Sequence, residues 1–212
     1  MIDKFELHTD VLVLGSGPAG FAAAYSAAAN GADVILVEQS GDVGGISTSG
    51  LMSHWTGSCD SPLYYEILRR TAENNEGEFQ DKITNLIDPE KLKTLYLEML
   101  CEVGCKVMLY TFAEDASCDG DKILGATVIN KSGKTAIYAK ITIDATGDGD
   151  IAARAGAEFV LGRESDNKMQ PATLMFKVGG VDYDRAVFLG SFESTHETPR
   201  GELQALAKEH IP

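Results

Sequence analysis

Three glycines, Gly15, Gly17 and Gly20, have a spacing that suits the binding of a diphosphate. Side chains at the first two positions would keep the backbone from coming within hydrogen-bonding distance of a pyrophosphate, and glycine removes them. Gly20 lets the following helix lie close to the preceding strand. That helix begins at Pro18 and Ala19, and its free N–H groups and positive dipole end would stabilise the phosphate charges. The segment therefore predicts a dinucleotide site that requires no lysine.

Glu38 adds a group that can bind a sugar. It ends the next predicted strand, about twenty residues after the third glycine, where its carboxylate can accept both hydroxyls of an adenosine ribose. We include its neighbour Gln39 among the cofactor-binding residues. A 2′-phosphate would be repelled by the carboxylate, so the pattern disfavours NADP.

The predicted elements around these residues form a strand–helix–strand unit, which a dinucleotide site needs. A strand over 10–14 leads into the glycines, a helix runs over 18–30 and a second strand covers 34–38. A lone Gly-x-Gly-x-x-Gly is weak evidence, because glycine-rich turns recur without any ligand. Here a strand precedes it, a helix follows it and an acid ends the next strand, and this context favours a nucleotide over a bare turn.

The rest of the chain predicts an α/β fold with a Rossmann-like core. Start signals predict helices over 63–74 and 90–103, with the polar run 73–81 as an exposed loop between them. From residue 105 short alternating runs predict a parallel core strand over 106–112 and then an antiparallel β-meander over 113–118, 123–130 and 135–143. A short helix through 157, a strand over 172–178 and a helix over 201–210 complete the prediction.

A second flexible loop follows Glu38 and narrows the choice of dinucleotide. Its cofactor-binding candidates are Gly44, Gly45, Ser47 and Thr48. The loop resembles the Gly-Gly-x-x-Thr loop of FAD enzymes in the glutathione-reductase structural family, in which it runs along the pyrophosphate toward the flavin. The resemblance implies FAD as the cofactor.

A third loop follows the meander and also indicates FAD. The triplet Ala145, Thr146 and Gly147 resembles the second fingerprint of that structural family. Asp148 comes directly after the triplet, at the carboxyl end of a strand, where ligands of such sheets collect, and we assign it to the cofactor too.

Longer stretches of the chain resemble the bacterial FAD-dependent oxidoreductase family. They are residues 144–150, the alanine-rich run that follows, and residues 169–176, and the resemblance extends to about Asp182. It implies hydride transfer between a small-molecule substrate and flavin N5, with the cofactor carrying the difficult chemistry.

Family members are considerably longer, and their C-terminal part supplies a glycine-rich segment beside the ribityl chain and the isoalloxazine. We therefore expect an FAD-binding domain over 1–156 and the beginning of a substrate domain over 157–212. We expect the chain to be a fragment, inactive by itself, that holds FAD weakly or not at all.

Composition and charge exclude several partners. The net charge of −14 repels nucleic-acid phosphates and anionic membrane surfaces, and the apolar run 11–29 contains three glycines and a proline, so it is not a membrane span. The four cysteines have no Cys-x-x-Cys spacing, which predicts free thiols, no metal site and a cytoplasmic protein.

His54 is the single catalytic candidate. It follows the second glycine loop, and a side chain whose reference pKa lies near neutrality could exchange a proton with the substrate. The alternative is a hydrogen-bonded loop histidine without a catalytic role. Two other functions stay open at this point: an NAD-dependent dehydrogenase, and a non-catalytic module that binds a dinucleotide.

Overall fold

The computed structural model describes residues 5–56, 59–74, 84–182 and 184. Its helices are α1 (Pro18–Ala29), α2 (Pro62–Asn74), α3 (Pro89–Glu102) and α4 (Asp150–Arg154), with a short 3₁₀ helix over Gly45–Ser47. Its strands are β1 (Phe5–Leu14), β2 (Val34–Val37), β3 (His54–Thr56), β4 (Thr84–Leu86), β5 (Lys106–Met108), β6 (Phe112–Asp119), β7 (Lys122–Asn130) and β8 (Gly133–Asp144).

Six of these strands form one mixed sheet in the order β5-β2-β1-β8-β7-β6. The four strands β5, β2, β1 and β8 are parallel, while β6, β7 and β8 form an antiparallel meander. The strand β8 belongs to both parts, since it pairs with β7 through its first half and with β1 along most of its length. The predicted α/β class, with a parallel sheet and a meander, is confirmed.

The core lies on both faces of the parallel strands. Val11 and Val13 of β1 belong to one apolar cluster, which includes buried residues of α1 and α3. Leu12 and Leu14 point to the other face and belong to a second cluster. Burial on both faces explains why β1 ends in an unbroken apolar run rather than in an alternating one.

Local signals set the helix starts correctly. Pro18 and Pro89 occupy the first helical turn, and the Asp88 side chain accepts a hydrogen bond from the Glu90 N–H as the N-cap of α3. The two helices meet through the rings of Phe21 and Tyr96, whose centroids are 3.8 Å apart. This contact fixes α1, whose first turn borders the glycine loop.

Some strand predictions were wrong because strands depend on distant partners. β1 begins at Phe5 rather than at residue 10, since its largely exposed first half pairs with β8. The antiparallel pair β3–β4 was not predicted at all. Residues 172–178 form no strand, and no described segment pairs with them. The predicted helix over 201–210 and most of the predicted loop over 73–81 lie outside the described residues.

The chain divides into two compact units, residues 1–175 and 176–212. Little of the second unit is described, so the predicted domains over 1–156 and 157–212 stay predictions. Among the described helices, none has the length and apolar character needed to cross a bilayer.

Candidate functional site

A cleft of about 420 Å³ opens where β1, β2 and β8 end. Its size falls within the usual range for small-molecule sites, and its place at the carboxyl edge of parallel strands is where such sheets bind ligands. Ten of the predicted cofactor residues line it: Gly15, Gly17, Pro18, Ala19, Glu38, Gln39, Gly45, Ala145, Thr146 and Gly147. The other five, which are Gly20, Gly44, Ser47, Thr48 and Asp148, do not.

The three glycines of the first loop are needed for different reasons. Gly15 has a φ of +91°, and a Cβ on it would overlap the carbonyl oxygen of Ala145. A Cβ on Gly20 would overlap the carbonyl oxygen of Gly15. Gly17 has an ordinary φ of −57°, and apart from its two chain neighbours no atom of the described residues lies within 4 Å of the place where its Cβ would be. The protein itself therefore leaves room at Gly17, on the wall of the cleft.

The first turn of α1 has no side-chain cap and no acidic residue of its own. Gly17 is the N-cap and provides no side-chain hydrogen bond, and the first turn contains no acidic residue. The unpaired N–H groups and the positive end of the helix dipole therefore remain available to an anion in the cleft.

Glu38 is 7 % exposed and is held by three donors. Its Oε2 accepts hydrogen bonds from the Ser16 N–H at 2.9 Å and the Ser16 hydroxyl at 2.6 Å, and its Oε1 accepts one from the Ser40 N–H at 2.7 Å. Burial raises the pKa of Glu38, but the hydrogen bonds from Ser16 and Ser40 together bring that pKa below its ordinary value. The cleft thus has a fixed, ionised carboxylate at the end of β2.

The second loop rests directly on the first. The Gly44 N–H donates to the Ser16 carbonyl at 2.8 Å, and a Cβ on Gly45 would come within 2.9 Å of the Gly17 Cα. The buried Thr48 hydroxyl donates to the Val43 carbonyl at 2.7 Å. Gly44 and Thr48 therefore shape the loop from behind, and Gly45 and the exposed Ile46 border the cleft.

The third loop is organised by Asp144, which the sequence analysis did not single out as a site residue. Its Oδ1 accepts from the Thr146 N–H at 3.0 Å and from the Thr146 hydroxyl at 2.7 Å, while Oδ2 accepts from the Ala152 N–H at 2.7 Å. Burial raises the pKa of Asp144, and these bonds outweigh that effect and lower it. Asp148 is exposed beyond the cleft, and Asp150 lines it instead.

Sequence reasoning also missed the wall next to Glu38. Thr111, Phe112 and Ala113 line the cleft there, and the Thr111 N–H donates to the Glu38 carbonyl at 2.9 Å. These residues lie far from Glu38 along the chain, and only the pairing of β5 with β2 brings them together. No local motif signalled them.

His54 lies in β3, exposed, and is not part of the cleft wall. Its catalytic role stays a prediction. Over the residues that the structure describes, no group of three histidine, cysteine, aspartate or glutamate side chains is placed to hold a metal ion. All four cysteines are free, as predicted.

The charged side chains that line the cleft are acidic. Glu38 and Asp150 are its charged lining residues, and no lysine, arginine or histidine is among the described residues that line it. Any diphosphate bound here would be held by main-chain N–H groups and the helix dipole.

Sequence comparison with known proteins places the chain in a family. The family model described as FAD dependent oxidoreductase matches residues 10–210. Digeranylgeranylglycerophospholipid reductase 2 of Methanosphaera stadtmanae is 31% identical over 210 residues, which cover 87% of this chain and 51% of that protein. A fumarate reductase (cytochrome) of Shewanella frigidimarina is 35% identical over 92 residues, or 41% of this chain. The chain spans about half the length of the curated reductases that it matches first.

Solved structures share the fold. A geranylgeranyl bacteriochlorophyll reductase-like protein from Thermoplasma acidophilum superposes with a TM-score of 0.57 at 18% identity, over 72% of this chain and 43% of that one. L-proline dehydrogenase from P. horikoshii gives a TM-score of 0.55 at 16% identity, over 74% of this chain and 58% of that one. At such low identity the likeness shows the fold alone.

Proposed function

The chain belongs to the FAD dependent oxidoreductase family, with FAD as its cofactor, and from that premise we propose that the cleft holds the adenosine diphosphate part of FAD. We further propose that the whole protein transfers hydride between a small-molecule substrate and flavin N5. Bound FAD would supply the hydride chemistry, and the residues of this chain bind it, orient it and keep its phosphates out of water.

The room at Gly17 carries this proposal. An ordinary φ, and open space as far as the described residues go, mean that the described fold does not require glycine there. A ligand that approaches the backbone explains the glycine, and the unpaired N–H groups of the α1 first turn suit a diphosphate.

The predicted cofactor residues take two kinds of role in this proposal. Gly17, Ala19 and Gly20 offer main-chain N–H groups to the phosphates, and Glu38 accepts from the ribose. Gly44, Ser47 and Thr48 support the loop that carries Gly45 toward the flavin. Ala145, Thr146 and Gly147, held by Asp144, form the facing wall. Asp148 lies at the exposed end of this wall, within reach of the cofactor's waters.

The fold type, the choice of cofactor chemistry, the location and the partners are proposed on the same premise. The sheet with its meander supports a fold of the glutathione-reductase structural type. Family membership favours FAD chemistry over the NAD-dependent dehydrogenase and the non-catalytic module. Free thiols at all four cysteines support a cytoplasmic location, and the net charge of −14 argues against nucleic-acid partners. Since the chain spans about half of its curated relatives, we expect these 212 residues alone to show no turnover.

The test is calorimetric titration of the 212-residue chain with ADP and with FAD, before and after Gly17→Ala. The alanine methyl group takes up room beside the first-turn N–H groups, so the affinity for both ligands falls at least about tenfold. The melting temperature of the variant equals that of the wild type. Gly179→Ala is the matched control, because Gly179 also has no described neighbour at its Cβ position and no positive φ, and is not among the residues that line the cleft.

Failure of the wild-type chain to bind ADP would contradict the proposal, because the cleft is proposed to hold the adenosine diphosphate part by itself. So would binding that Gly17→Ala leaves unchanged. Equal affinities for ADP and FAD would show that the adenosine diphosphate part supplies the whole binding energy of this chain, as expected.

A further inference from the structure

The Glu38 carboxylate has fewer open acceptor positions than a ribose has hydroxyls. An ionised carboxylate has about four lone-pair positions, two on each oxygen. On Oε2 both are used, by the N–H and by the hydroxyl of Ser16. On Oε1 one is used, by the Ser40 N–H, while the nearby Ser40 hydroxyl donates its proton to the Asp42 carbonyl at 2.7 Å. Counted over the described residues, a single position, on Oε1, is left for a ligand.

The hydroxyl of Ser16 is held firmly in place. Ser16 is fully buried, and its carbonyl accepts a hydrogen bond from the Gly44 N–H, so the second loop holds its backbone. Its hydroxyl donates at 2.6 Å, a short distance typical of bonds to a charged acceptor. A ribose hydroxyl that displaced it would leave a buried hydroxyl without an acceptor, which costs free energy.

We propose, on the basis of the proposed function, that Glu38 accepts one ribose hydroxyl through Oε1, and that Ser16 sets this number by occupying Oε2. The other ribose hydroxyl faces water or the neighbouring wall. Ser16 is then a specificity-determining residue within the glycine loop. It decides, through its hydrogen bonds to Glu38, how many hydroxyls the carboxylate recognises.

The experiment compares ADP, 2′-deoxy-ADP and 3′-deoxy-ADP by calorimetry on the 212-residue chain and on Ser16→Ala. In the wild type, one deoxy analogue binds about tenfold more weakly than ADP, and the other binds within about twofold of ADP. In Ser16→Ala a position on Oε2 is open, so the second hydroxyl is bound as well and both analogues bind more weakly than ADP.

Thr71→Val is the matched control. Thr71 is also buried, and its hydroxyl donates to the Ile67 and Leu68 carbonyls within α2, away from the cleft lining. Its variant loses a buried hydroxyl of the same kind and keeps the wild-type order of the three ligands. A merely structural effect of Ser16→Ala would weaken all three ligands equally, which overturns the proposal.

The wild-type series tests the proposal even if Ser16→Ala does not fold. Equal losses for the two analogues, or no loss for either, would show that Glu38 does not accept a single hydroxyl. Failure of the wild-type chain to bind ADP at all is a different result, because it contradicts the proposed function itself.

Discussion

At the scale of single residues, the three glycines of the first loop leave room for different neighbours. Gly17 leaves room for a ligand, whereas Gly15 and Gly20 leave room for carbonyl oxygens of the protein. The sequence pattern predicted all three positions, since a fingerprint records both needs together. It could not predict that Ser16 would hold Glu38, because the variable positions of the fingerprint carry no fixed side-chain role.

Glu38 makes a prediction about pH. Its pKa is lowered in the folded chain from an ordinary 4.5, so its hydrogen bonds contribute stability that is fully present above that value and is lost as pH falls through the folded pKa. The free energy of unfolding in urea should therefore differ between wild type and Glu38→Gln at pH 7, and the difference should shrink below about pH 4.5. A difference that grows as the pH is lowered would show that the carboxylate is not stabilised in its ionised form.

At the scale of elements, the helices were predictable and several strands were not. Pro18, Asp88 and Pro89 specify helix starts by contacts within one turn. The first half of β1 is a strand because it pairs with β8, and β3 is a strand because it pairs with β4. The run 172–178 is apolar enough for a strand but has no described partner, which shows that local composition alone does not make one.

The junction of β1 and α1 gives a second prediction. A Cβ at Gly20 would overlap the Gly15 carbonyl oxygen, so Gly20→Ala must push the helix from the strand. We expect a net destabilisation of about 1–3 kcal/mol, after the better helix propensity of alanine is allowed for, measured by urea unfolding. Gly17→Ala serves as the comparison, since it meets no protein atom. Equal stability of the two variants would mean that α1 is not tightly packed on β1.

At the scale of the whole molecule, the cleft that we propose binds an anion lies in an acidic protein. The net charge is −14, and the cleft lining has Glu38 and Asp150 but no described basic side chain. The fingerprint predicts the local anion site, which stays a prediction, and the composition gives the acidic net charge. The shape of the cleft needed the sheet order, which joins segments far apart in the chain.

That combination makes a prediction about salt. Long-range repulsion is screened as the Debye length falls from about 30 Å at 0.01 M to about 3 Å at 1 M ionic strength, while short contacts to main-chain N–H groups are screened less. The affinity for ADP should therefore stay constant or rise across this range. A fall of tenfold or more would indicate that basic side chains hold the phosphates, as they do in sites that release counterions.

The most direct test is a crystal structure of the chain with ADP. The account predicts the diphosphate at the start of α1, with its oxygens about 2.7–3.2 Å from the main-chain nitrogens of Gly17, Ala19 or Gly20, and the ribose at Glu38. ADP bound elsewhere, or a cleft closed by protein atoms in crystals grown with saturating ADP, would contradict it.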